Sequence, residues 1–118
     1  MTTRRWQALG RLPKGTMNKT EAAYAALLED RRRAGLIHDW KFHAIKVRLA
    51  DNTFYETDFL VVAAGMGLEI HEVKGGFTSD KGQLKIKLCA ETLPWIRIFK
   101  ATKGRKGEGF LVEEYSAK

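Results

Sequence analysis

The chain has 118 residues, enough for one domain of ordinary size, and carries 21 Lys/Arg against 14 Asp/Glu for a formal net charge of +7. Hydrophobic residues make up 44% and charged residues 30%, a globular composition that argues against a disordered chain. No apolar run approaches the ~18 residues of a membrane span, the start Met1–Trp6 has charge but no apolar stretch behind it, and Cys89 is alone. A membrane protein, a secreted disulfide scaffold and a zinc finger are excluded, and a reducing cytosol is the compartment that fits.

The charge is divided unevenly. Residues 1–50 hold 11 Lys/Arg and four acids, residues 51–80 hold one Lys and six acids, and residues 81–118 hold nine Lys/Arg and four acids. Basic flanks point to a polyanion, most often nucleic acid. The acidic block would repel that partner unless it holds a divalent cation, which bridges carboxylates to phosphate. The plainer alternative is a solvated acidic surface.

In chain order, residues 1–17 read as an irregular basic arm, broken by Gly10, Pro13 and Gly15, with Arg4, Arg5, Arg11 and Lys14 available to phosphates. Residues 18–118 read as a single domain. Asn18 to Ala34 is predicted as a helix: Asn18 is an N-cap with Glu21 at its capping-box position, Tyr24, Leu27 and Leu28 form an apolar stripe, Arg31–Arg33 suit the last turn, and Gly35 is a stop. Trp40–Leu49 and Phe54–Ala63 read as two strands joined at Asp51-Asn52, the second with the continuous apolar run Phe59–Ala63 of a strand buried on both faces. Leu68–Lys74 is a third strand, completing an antiparallel meander that ends at Gly75-Gly76. A second helix, capped by Ser79 or Asp80, is expected to run to about Leu93 with Leu84, Leu88 and Leu93 inward, and Pro94 ends it. Trp95–Ala101 follows as a strand parallel to the third, because a helix lies between them. A basic hairpin tip over Lys103–Gly109 and a last strand Phe110–Tyr115 close an α/β fold, a mixed sheet of about five strands flanked by helices.

Within the acidic block, Asp58 opens the buried run, and period-2 geometry puts Glu72 and Lys74 on one strand face. In a meander the start of the second strand lies beside the end of the third, so Asp58 and Glu72 become neighbours. Two adjacent carboxylates disfavour each other's ionisation unless a cation lies between them. With the Val73 carbonyl they make an oxygen set suited to Mg²⁺, and Mn²⁺ as a substitute. Lys74 is then placed to orient an attacking water. The alternative for Glu72 and Lys74 is a surface ion pair of little energetic weight.

Asp58, thirteen residues, then Glu72-Val73-Lys74, after a helical Glu21, resembles the PD-(D/E)XK nuclease superfamily, whose core is a helix, a three-stranded meander, a helix and a further strand. More narrowly, the chain is similar to small phage-encoded nucleases of that superfamily, such as phage Holliday-junction endonucleases. The resemblance covers roughly residues 18 to 101. It implies a restriction-endonuclease-like core, Mg²⁺-dependent hydrolysis of DNA phosphodiesters, a preference for branched DNA, and residence in a host cytosol. It implies Asp58 and Glu72 as metal ligands, Lys74 as catalytic lysine, and Glu21 as an acid from the first helix acting through a second metal or a water. It also makes Lys85 and Lys87 part of a basic stretch, which with Lys81 would meet phosphates. Thr57 stands where the superfamily pattern has proline.

Glu21 is also explained as the capping partner of Asn18 alone. His71 points away from Glu72 and reads as structural, Cys89 reads as packing, and packing is the preferred role for Trp40 and Trp95. At 118 residues a full duplex clamp does not fit, which favours a homodimer. Two other classes compete with the nuclease: a non-catalytic nucleic-acid-binding module on a degenerate nuclease fold, and a phage structural protein with no affinity for DNA.

Overall fold

The computed structural model describes residues 16–75 and 80–115, without the side chains of Asp80 and Lys81. The arm residues Arg4, Arg5, Arg11 and Lys14, and the capping candidate Ser79, lie outside the described residues.

Helix α1 runs Lys19–Arg33. Its start follows the sequence signal: the Asn18 side chain accepts from the Glu21 N–H at 2.8 Å, and Glu21 Oε1 accepts from the Asn18 N–H at 2.9 Å. These two bonds satisfy donors that a helix start leaves open. At the other end Ala34 is the C-cap and Gly35 takes φ +79°, the left-handed geometry that ends many helices.

Strands follow as β1 (Ile37–Phe42), β2 (Lys46–Ala50), β3 (Thr53–Glu56), β4 (Phe59–Ala63) and β5 (Leu68–Lys74), then α2 (Asp80–Thr92), β6 (Arg97–Lys103) and β7 (Phe110–Tyr115). The main sheet has the order β1-β4-β5-β6-β7, with β5 and β6 parallel and the other pairs antiparallel. It is a five-stranded mixed sheet with two helices, as the sequence implies. The two strands expected over residues 40–49 and 54–63 are instead four. The hairpin breaks at His43–Ile45 and Thr57–Asp58, and its outer half, β2 and β3, forms a separate two-stranded ribbon. The break is held by Thr57, whose N–H and hydroxyl both donate to the Ile45 carbonyl.

Alternation along β5 divides the core into two layers. Val73 packs with Tyr24, Ala25 and Leu28 of α1 and with Phe59, Val61 and Ala101. Ile70, on the opposite face, packs with Ile98, with Ile86, Cys89 and Ala90 of α2, and with Val47 and Tyr55 of the ribbon. The ribbon therefore bends away to cover α2. The inner face of α2 differs from expectation: Ile86, Cys89 and Ala90 are buried, Leu88 is half-buried, Leu93 packs at the edge, and Leu84 is exposed. Trp95, expected to pack, is instead 78% exposed. Among the described residues no helix is long and apolar enough to cross a membrane.

Trp40 joins α1 to β1 by donating its indole N–H to Glu29 at 3.0 Å, and Glu29 also accepts from Arg32 and Arg33. The Arg32 bonds, then the Trp40 bond, hold the Glu29 carboxyl down to about 2 from an ordinary 4.5. A carboxyl depressed by folding adds stability above its unfolded pKa and loses it as pH falls through the folded one. Glu29→Gln is thus expected to be less stable than the parent at pH 6, with the difference closing between pH 4.5 and about 2. Urea melts across that range measure it.

Candidate metal centre

The hairpin break positions the centre. At the bend, the Asp58 carbonyl accepts from the His43 N–H at 2.9 Å, which continues the β1–β4 pairing beyond Phe42 and Phe59. The Asp58 side chain is directed toward β5, where Oδ2 accepts from the Val73 N–H at 2.9 Å. The β4–β5 register pairs Phe59 with His71, so Asp58 falls opposite Glu72 and the two side chains share a face. Asp58 and Glu72 are neighbours, as their spacing predicts.

Glu72 is only 6% exposed. Its Oε2 lies 3.6 Å from Lys74 Nζ, the same-face pairing expected two residues along a strand. Its Oε1 and the Tyr55 hydroxyl are both buried without a partner in good hydrogen-bond geometry, yet the two groups stand side by side, and the hydroxyl favours the ionised carboxylate. Burial raises the Glu72 carboxyl above the ordinary carboxylate range, and the Asp58 charge raises it further. The Tyr55 hydroxyl, and after it Lys74, oppose the shift without cancelling it. A buried, half-paired carboxylate beside a second carboxylate fits a divalent cation, which would satisfy the open oxygen and neutralise the pair. The Val73 carbonyl points to the same side of β5 as its N–H, toward Asp58, so it is placed to contribute.

Glu21 reaches the same region from the first turn of α1. Its carboxyl is raised mainly by burial, and the Asp58 charge adds to this. Capping and proximity to Asp58 therefore coexist. His43, which nothing in the sequence marks, is the fourth member. It adopts φ +50° at the bend and stacks on Phe42 with centroids 3.7 Å apart. One donor atom from each of Glu21, His43 and Asp58 lies within 4.8 Å of the other two. Gln can serve as the capping residue but carries no charge. Glu21→Gln is therefore expected to keep thermal stability within ~0.5 kcal/mol of the parent while weakening Mn²⁺ binding, as read by calorimetry.

His71 faces away from the centre, as expected. It is buried, bonded to the Tyr24 hydroxyl and to Glu69, and burial lowers its pKa. Of the predicted phosphate contacts, Lys85 is half-buried and Lys87 exposed, and two positions apart on a helix they point in different directions. The structure adds another cationic element. Lys74 pairs with Thr102 across the parallel β5–β6 ladder, so the β6–β7 turn leaves from the end of the sheet that carries the carboxylates. Lys103, Arg105 and Lys106 are exposed there, and the turn is held by the Glu108 carboxylate on the Arg105 N–H at 2.7 Å.

Comparison of the chain with protein-family models, with curated proteins and with solved structures finds no match.

Proposed function

We propose that this chain is a metal-dependent endonuclease on DNA, built on a restriction-endonuclease-like core of the PD-(D/E)XK kind. The observation that carries the reading is the buried Glu72 carboxylate, ion-paired to Lys74 on one oxygen, with only the Tyr55 hydroxyl beside it otherwise, and adjacent to Asp58. Asp58 and Glu72, with the Val73 carbonyl, would hold Mg²⁺ or Mn²⁺. The ion, when bound, neutralises charge on the scissile phosphate and lowers the pKa of a water it holds. Lys74, 3.6 Å from Glu72, would serve as a hydrogen-bond donor that orients the attacking water. Lys103, Arg105 and Lys106, exposed at the same end of the sheet, would meet flanking phosphates, contacts that set register without reading sequence. Branched DNA as the favoured substrate rests on the resemblance of the motif. A homodimer would supply the second centre that cutting two strands requires.

The test is incubation with supercoiled plasmid and with a four-way junction, in Mg²⁺ or EDTA. Nicking that needs Mg²⁺ and disappears in Asp58→Asn is the expected result. Binding that weakens steeply with salt, without any metal-dependent nicking, would identify a binding module on a degenerate nuclease fold. Absence of both nicking and DNA affinity would identify an interaction protein.

A further inference from the structure

We infer that Tyr55 is a positioning residue for the metal centre: its hydroxyl donates to Glu72 Oε1 once a cation fixes the carboxylate, so that the ribbon as well as the sheet holds the ligand. The inference rests on the nuclease reading, because it takes Asp58 and Glu72 as the cation's ligands.

Three observations carry it. First, among the described residues the Tyr55 hydroxyl and Glu72 Oε1 are the two buried side-chain polar atoms without a bond, and they stand side by side. Leaving a buried donor or acceptor unmade is costly. Two such groups in adjacent positions point to a bond that is completed in another state of the site. Second, the phenol is held and the carboxylate is adjustable. Tyr55 is 5% exposed, pairs with Val47 in the ribbon, and packs with Ile86, Cys89 and Ala90 of α2. Glu72 is held on its other oxygen only by Lys74, at 3.6 Å. Third, packing gives no reason for a hydroxyl here. A phenylalanine ring would fill the same apolar layer without burying an unbonded oxygen. Burial, then the Glu72 charge, also hold the hydroxyl well above its ordinary 10.0, so it remains a proton donor.

The empty centre explains why the bond is not yet formed. Hydrogen bonds at active sites are often long or poorly aligned until the site is complete, and tighten then. A carboxylate oxygen has two lone pairs, so Oε1 can face the ion with one and accept from Tyr55 with the other. Partners of this kind fix the direction of a metal ligand. Tyr55 would do for Glu72 what the Val73 N–H does for Asp58, which already accepts that donor at 2.9 Å. The ribbon that bends away to cover α2 thereby also supports the centre.

The probe is Mn²⁺ alone, titrated by calorimetry into the full chain and into Tyr55→Phe, without DNA, with thermal melts of both in EDTA. Tyr55→Phe is expected to bind Mn²⁺ ~10- to 100-fold more weakly, the scale for losing a partner of a metal ligand. In EDTA it should melt at or above the parent temperature, because a buried unsatisfied hydroxyl has been removed. Mn²⁺ should also produce a tyrosine difference absorption in the parent that Tyr55→Phe lacks. Ile98→Val, which thins the same core layer but keeps the hydroxyl, should melt lower and bind Mn²⁺ as the parent does. Unaltered Mn²⁺ affinity in Tyr55→Phe, or an equal loss of affinity in Ile98→Val, overturns the inference. The two readings fail separately. Mg²⁺-dependent nicking with parental Mn²⁺ affinity in Tyr55→Phe removes the role of Tyr55 and leaves the nuclease. Mn²⁺ binding that depends on Tyr55, without nicking in any metal, removes the nuclease and leaves the role of Tyr55. A parent chain that binds no Mn²⁺ overturns both.

Discussion

Glu72→Gln is expected to lower Mg²⁺-dependent nicking by ~10³-fold or more while making the metal-free protein more stable. The loss follows from the several kcal/mol that a bound cation contributes to a phosphoryl transition state. The gain follows from burial. Glu72 is 6% exposed, has one oxygen unbonded, and sits against the Asp58 charge. Ionising it in the folded state is costly, so the folded carboxyl titrates above the unfolded one. A carboxyl raised by folding costs no stability below its unfolded pKa and costs progressively more as pH rises through the folded value. The stability difference between Glu72→Gln and the parent should therefore vanish in acid and widen toward neutral and higher pH, reaching ~1–3 kcal/mol, the scale of a buried polar group left unsatisfied. Added Mg²⁺ should narrow it, since the ion stabilises only the parent. Asp58→Asn should lose nicking equally but gain little stability, because Asp58 is half-exposed and already accepts the Val73 N–H. Thermal melts with EDTA or Mg²⁺ and plasmid nicking on the same samples test both halves. A Glu72→Gln protein that melts below its parent at pH 8 in EDTA would show that Glu72 is held by a partner and is not an open ligand.

The parts of this centre that were legible in the sequence are those set by local geometry. The capping box at Asn18 and Glu21 needs only the first turn of a helix. The pairing of Glu72 with Lys74 needs only the two-residue period of a strand, and the meander then brings Asp58 opposite Glu72. What the sequence did not reveal depends on the bend. Residues 40–49 and 54–63 contain no glycine or proline at the break, and their apolar alternation runs through it. The chain bends because Val47 and Tyr55 are buried against Ile86, Cys89 and Ala90, which lie far away in sequence. His43 and Tyr55 reach the centre only through that tertiary contact, so no local signal announced them. The same contact explains α2. The expected stripe Leu84, Leu88 and Leu93, and the observed one, Ile86, Cys89 and Ala90 with Leu93 at its edge, both have near-helical spacing, so periodicity alone does not choose between them. The ribbon covers the second, and Leu84 is left in solvent. The basic tip was legible as a turn, but its place beside the carboxylates required the register of Lys74 with Thr102.

Phe59→Ala is expected to cost ~3–5 kcal/mol, the range for removing a large buried aromatic side chain. That is a major fraction of the ~5–15 kcal/mol that holds a domain folded. Phe59 is 0% exposed, and its ring lies 5.5 Å from Tyr24, 5.8 Å from Trp40 and 5.3 Å from Phe42. Those partners come from α1 and β1, so the cavity would open where the helix meets the sheet. Phe59 is also the first residue of β4, paired with Phe42 on one side and His71 on the other. Its neighbour Asp58 takes its position from that anchorage. The milder Phe59→Leu leaves a smaller cavity and should remain folded, yet it loosens the point at which Asp58 leaves the sheet. Its nicking rate and its Mn²⁺ affinity should therefore fall further than its melting temperature suggests. Urea melts of both variants, with a Mn²⁺ titration of the leucine variant, separate the two effects. Metal binding that is unchanged in a measurably destabilised Phe59→Leu would mean that Asp58 is held by the Val73 and His43 hydrogen bonds alone, and that the aromatic core beneath it sets the fold without setting the site.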